Sequence, residues 1–172
     1  LNVATLAKYM KFGTLSSLSS SLGKDVNLAD SISVGDISQL KPFVSLCDIM
    51  FANLEIEINS INLEEMTVDV SITNADYYQQ SMIFAYNLKK NYSLQELLSL
   101  MANQQRFEEK LGELITTLED TEVQTNTIEA TLTIEQGDKN LVLVLDKNAE
   151  QAITGGVLTS IMTIYGIGAT AQ

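Results

Sequence analysis

No histidine and no tryptophan occur in this chain, and it carries one cysteine and one proline. The missing histidine removes the commonest general base and the commonest transition-metal ligand. A lone cysteine excludes an internal disulfide. Cys47 sits in Val44-Ser45-Leu46-Cys47-Asp48-Ile49, apolar on both sides, and reads as a small buried hydrophobe. A reactive thiol would need positive charge beside it, and only Lys41 is close in sequence. Basic residues are also scarce: none cluster beyond the pair Lys89-Lys90, and the net charge is −12. Such a surface repels nucleic acid and anionic lipid, so no nucleic-acid partner is expected. Long apolar runs are missing too. The stretch from Ala152 to Gln172 has no charge, but Thr154, Thr159, Ser160, Thr163, Thr170 and its glycines dilute it. A membrane span needs about twenty mainly apolar residues, so a helix packed on the sheet, also at a homodimer interface, is the better reading.

Hydrophobic residues make up 45% of the 172 and charged residues 19%, the balance of a globular chain with a sizeable core. No linker or repeat divides it, apart from a serine cluster at Ser16 to Ser21, so one domain over 1–172 is expected. Low cysteine content fits a reducing compartment or a bacterial cell surface. The first residue is Leu1 and no charged-then-apolar leader precedes the domain, so a trimmed or mature form is expected.

Alternation defines two hairpins. In the first, over 52–73, Leu54, Ile56 and Ile58 point one way and Glu55, Glu57 and Asn59 the other; Val68, Val70 and Ile72 repeat the rule, with Asp69 on the wet face. The second, over 123–146, runs from Ile128 through Ile134, turns at Gln136-Gly137-Asp138-Lys139 with glycine in a left-handed position, and returns as Leu141-Val142-Leu143-Val144-Leu145. Both faces of that return are apolar, which predicts a central strand covered on both sides.

Helices occupy the rest: 1–50, 75–120 and a C-terminal helix over 148–165. Tyr9, Met10 and Phe12 belong to an amphipathic stripe near the start. Asp36 and Gln39 form a capping-box pattern, while Pro42 allows a start at Lys41 instead. Asn74 has the place of an N-cap, with Asp76 in the first turn of the following helix. Ser93 and Glu96 give the strongest start signal, and the broken period at Asn103-Gln104-Gln105-Arg106 predicts a kink or short break. Strands interrupted by helices in this order define an α+β class.

The strand Thr67–Ala75 running straight through Asp76 into a helix, then Asp146 leading into Ala152-Ile153-Thr154-Gly155-Gly156-Val157, resembles a known group. It is similar to domain-of-unknown-function families of Gram-positive bacterial lipoproteins within the nuclear transport factor two-like superfamily, over residues 3 to 160. The resemblance implies a cystatin-like cone: a curved antiparallel sheet wrapping around helices, extracellular and held at the membrane only through a lipid anchor upstream of Leu1. Cys47, inside a helix, is no substitute for the lipid-bearing cysteine. Relatives often carry tryptophan where Lys139-Asn140-Leu141-Val142 stands here, and its loss changes how the last strand packs. The wider superfamily includes ketosteroid isomerase, scytalone dehydratase and non-catalytic association modules.

An isomerase-like site needs an inward base and a donor pair for an oxyanion. Asp76, Tyr77, Tyr78, Tyr86 and Tyr92 supply the types, but periodicity places no base inward. No catalytic residue is therefore assigned; Tyr78, Tyr86 and Asp76 are the candidates for ligand contact. Glu55, Glu57, Glu64, Glu65 and Asp69 lack the spacing of a calcium loop and read as a solvated strand face, so no metal is assigned. Gly155-Gly156 lacks the flanks of a phosphate loop and reads as a bend or close-packing point, and no cofactor is expected. Asn91-Tyr92-Ser93 matches a glycosylation sequon, but the helix cap already accounts for Ser93. The expectation is a non-enzymatic cell-surface domain binding a small ligand or protein partner. The alternatives are an isomerase- or lyase-like pocket enzyme and a structural homo-oligomer held by the tail.

Overall fold

The computed structural model describes residues 9–12 and 41–166. The Asp36–Gln39 capping pattern, the serine cluster and the last six residues lie outside them. In chain order the elements are β1 (Met10–Phe12), α1 (Lys41–Phe51), β2 (Glu55–Asn62), β3 (Thr67–Ala75), α2 (Tyr78–Asn91), α3 (Leu94–Met101) and α4 (Gln104–Glu119). After them come β4 (Thr125–Gln136), β5 (Leu141–Leu145), α5 (Lys147–Ile153) and α6 (Val157–Ile164).

The chain is α+β, with one five-stranded sheet in the order β1-β5-β4-β3-β2. Four strands are antiparallel to their neighbours, as the alternation predicts, but β1 joins β5 in parallel with Met10 opposite Leu143. The sheet is therefore mixed rather than wholly antiparallel. Met10 to Phe12, expected on a helix, form that edge strand. Three residues of helical spacing carry little propensity against a ready-made ladder on β5.

Val68, Val70 and Ile72 point inward as predicted and are almost fully buried, joined by Leu132, Ile134 and Leu145 from β4 and β5 and by Ala149 and Ile153 of α5. A second cluster joins Leu46, Cys47 and Met50 of α1 to Leu111, Leu114 and Leu118 of α4, with Ala75, Tyr77 and Val157 between them. Each fully buried Leu or Ile contributes about 1.5–3 kcal/mol of hydrophobic stabilisation. Strand β5 has neighbours on both edges, but Leu141 is exposed and Val142 to Val144 are half-buried, so it is not covered on both faces.

Helix boundaries follow local chemistry. Pro42 sits in the first turn of α1, where a missing N–H costs nothing. Ser93 caps α3 reciprocally: its Oγ accepts from the Glu96 N–H at 3.2 Å, and its own N–H donates to Glu96 Oε2 at 2.7 Å. The predicted break falls after Met101, and Asn103 Oδ1 caps α4 by accepting from the Arg106 N–H at 3.1 Å.

Two expectations fail at glycines. The single C-terminal helix is split into α5 and α6 by a turn at Thr154–Gly156, with Gly155 at φ +62° and Gly156 at φ +81°. A β-carbon on Gly155 would lie 2.8 Å from the Ala75 carbonyl oxygen, and one on Gly156 2.7 Å from Tyr78 Cβ. Gly137, by contrast, has no positive φ. It is required because a β-carbon there would meet the Asn140 carbonyl oxygen at 2.8 Å across the hairpin turn.

Candidate functional site

Where β3 ends, three elements meet. Asn74 continues the inward register of Val68, Val70 and Ile72 and is buried, a strand position rather than the helix cap expected of it. Its Nδ2 donates to the Met50, Ala152 and Ile153 carbonyl oxygens at 2.9, 3.0 and 2.8 Å. Strand β3 is thereby tied to the C-terminal ends of α1 and α5, where helices leave carbonyls unsatisfied. Helix α2 starts later, at Tyr78, with no side-chain cap on its N-cap residue.

Asp76 accordingly precedes the helix instead of lying in its first turn. Its N–H donates to the Gln124 carbonyl oxygen at 2.8 Å, and its Oδ1 accepts from the Tyr78 N–H at 3.0 Å. This is the local turn that aspartate side chains favour. Tyr77 N–H donates to the Gly155 carbonyl oxygen at 2.8 Å, drawing the glycine turn against the strand end.

The result is an open cleft of about 190 Å³ lined by Asn74, Asp76, Asn126, Glu129, Asn148, Gln151 and the Gly155-Gly156 turn, with Ala75, Ile128 and Ala152 as its apolar part. On the other side of Asp76 lies a shallow groove of about 510 Å³ formed with Gln79, Gln80, Asp120, Thr121, Glu122 and Gln124. Among the described residues, neither lining includes a lysine or arginine. Carboxylates, amides and hydroxyls in a concave surface accept hydrogen bonds and attract cations.

Of the three expected contact residues, Asp76 lines both hollows, whereas Tyr78 abuts Gly156 but lines neither. Tyr86 is elsewhere: it is exposed farther along α2, with Lys90 Nζ 5.2 Å from its ring centroid. Tyr92 likewise faces Arg106 and Lys110, at 6.0 and 5.6 Å from its ring. Asn74, Asn126, Asn148 and Gln151 were not legible as site residues. For Asn74 the signal is in the sequence, since a period-two inward series ending in asparagine places an amide in the core.

Cys47 is buried, and burial first, with the neighbouring Asp48 charge second, pushes its thiol up to about 11. Asp69 lies exposed on the outer face, where Ser60 and Thr131 donate to it and hold its carboxyl below the ordinary 3.8. Burial raises the Tyr77 phenol above its ordinary range. No described helix is long and apolar enough to cross a membrane. No family model matches the chain, no curated protein matches it and no solved structure matches it, so the likeness to nuclear transport factor two-like lipoprotein domains rests on the sequence features alone.

Proposed function

We propose that this domain is a non-enzymatic binding module whose ligand is a cationic segment of a protein partner, received at the cleft and groove flanking Asp76. The observation that carries the reading is the lining itself: among the described residues, carboxylates and amides from four segments converge there beside Ala75, Ile128 and Ala152, without a basic side chain. The two hollows differ in size: the groove, at about 510 Å³, is within the volume range of small-molecule sites but is shallow and open. At about 190 Å³ the cleft falls below the roughly 300–1,000 Å³ of small-molecule sites, and it suits one lysine or arginine side chain. The groove beyond it extends the contact along the peptide.

The pocket-enzyme reading has less support. The helical side of the sheet is filled by Leu46, Met50, Leu111, Leu114, Phe51 and Phe107, leaving the polar groups in an open surface hollow. A base working there would have no dry enclosure to sharpen its chemistry. The extracellular, lipid-anchored placement and the cone are carried by the sequence resemblance. Four antiparallel strands with helices packed on β3 and β4, and a bulge in β2 that bends its strand, agree with a curved sheet. The parallel β1 is a departure from it.

Fluorescence anisotropy with a labelled lysine- and arginine-bearing peptide tests the function. Asp76→Asn is expected to weaken binding about tenfold, or 1.4 kcal/mol, while Glu109→Gln, an equal charge loss nearer the other end of α4, leaves it unchanged. Equal losses from both variants would reduce the effect to unspecific attraction by the net charge and sink the reading.

A further inference from the structure

Strand β2 is the outer strand of the sheet; it pairs with β3 and, among the described residues, with nothing on its other side. Beyond Ile56, which packs on the core, its apolar face is exposed as well. Ile58 and Ile61 stand opposite the buried Val70 and Val68, yet each is 59% exposed, and Leu63 just beyond them is 69% exposed. Helices α1 and α5 lie on β3, and α5 also on β4 and β5, so the helical cover stops short of this end of β2. A free edge beside exposed apolar side chains is a template for an added strand.

We propose that the added strand is β2 of a second copy, placed antiparallel about a two-fold axis so that the two sheets become one. The bulge at Asn59 sets the register. In a regular strand, positions 58 and 61 face opposite ways, but the pairing shifts between Ile58 and Ser60, so Ile58 and Ile61 share the core-side face. Setting Ile58 against Ile61 of the partner subunit then sets Ile56 against the partner's Leu63. On the other face Glu57 meets the partner's Asn62, and Asn59 meets the partner's Ser60. Apolar residues oppose apolar ones, and between positions 57 and 62 no carboxylate opposes another. Glu57 faces an amide donor instead. Only at the ends of the pairing does Glu55 come opposite the partner's Glu64, in the turn beyond the strand. A foreign strand would have to satisfy both faces from an unrelated sequence, whereas this chain supplies the complement itself.

The contact is isologous and closed, as two-fold dimers require. An eight-residue edge with two exposed apolar side chains per subunit, and Leu63 just beyond it, buries on the order of 1,000 Å² in all, the weak end of specific interfaces. With −12 on each copy, added salt tightens the association by screening. The proposal is independent of the cleft.

Sedimentation velocity on the full chain, over about 0.01–1 mM protein and at about 0.15 and 0.5 M salt, tests it. A monomer–dimer equilibrium that moves toward dimer with salt is expected. Ile61→Lys should raise the dimer dissociation constant at least about tenfold, with an unchanged melting temperature showing that the variant folds. Ile58→Thr, milder at the same edge, should weaken the dimer in the same direction. Ile83→Lys, at an exposed apolar position on α2, should leave it intact. A chain that stays monomeric throughout overturns the proposal. So does a dimer that survives Ile61→Lys, or one lost equally with Ile83→Lys.

Discussion

At the scale of the residue, Asn74 shows how one amide organises three elements. Its NH₂ group has two hydrogens for three carbonyl acceptors, so one hydrogen is shared. Asn74→Ala takes the side-chain donor from the Met50 and Ile153 carbonyls, at about 1–3 kcal/mol each when fully orphaned, while the Ala152 carbonyl keeps the Gly155 N–H at 3.2 Å. Urea denaturation should show a loss of about 2–4 kcal/mol, and Asn74→Asp should cost more because it sets a carboxylate against carbonyl oxygens. A change below about 0.5 kcal/mol would remove Asn74 from this role.

Cys47 and Asp69 predict opposite pH behaviour. With the folded Cys47 thiol at about 11 against an ordinary 9.0, the unfolded chain loses that proton first. Stability therefore falls as pH rises through this interval, and Cys47 should resist thiol reagents in native protein yet react after unfolding. Asp69 works the other way. Its folded carboxyl is depressed by Ser60 and Thr131, so its contribution is present above the unfolded value and disappears as pH falls through the folded one. Asp69→Asn should be less stable than the parent near neutrality, with the gap closing in acid. A gap that persists at low pH would contradict the assignment.

At the scale of the element, two glycines make opposite predictions. Gly112 lies in α4, and a β-carbon added there would meet nothing within 4 Å, so Gly112→Ala should stabilise by about 0.5–1 kcal/mol. Gly156 has φ +81° and would drive a β-carbon into Tyr78. Gly156→Ala should destabilise by more than about 1 kcal/mol and disturb the turn that forms one wall of the cleft. Thermal unfolding of the pair checks the contrast; equal effects would refute it.

Elements with local signals were legible from the sequence: the alternating β3, the Ser93–Glu96 box, the break near Asn103. Those decided by distant partners were not. Met10 to Phe12 become strand only because β5 offers its edge, and α5 separates from α6 because the glycine turn must reach Ala75 and Tyr78. Of the candidate hollow, the sequence pointed to Asp76 alone, at a strand-to-helix junction; Tyr78 and Tyr86 line neither part of it. Asn126, Asn148 and Gln151 join it from residues far along the chain, and no local pattern announces them.

At the scale of the whole molecule, the described residues present an unpaired β2 edge and an acidic hollow, with an apolar interior between α1, α4 and the sheet. The net charge of −12 draws cationic partners toward every face, so location rather than affinity separates a built site from general attraction. The most direct measurement is therefore an amide chemical-shift titration of the isotope-labelled chain with the same lysine- and arginine-bearing peptide. Saturable shifts concentrated at Asp76, Gln124, Asn148 and Gly155, persisting at physiological salt, are the predicted result. Small shifts spread over α4 and the outer face of the sheet, vanishing as salt rises, would contradict the account.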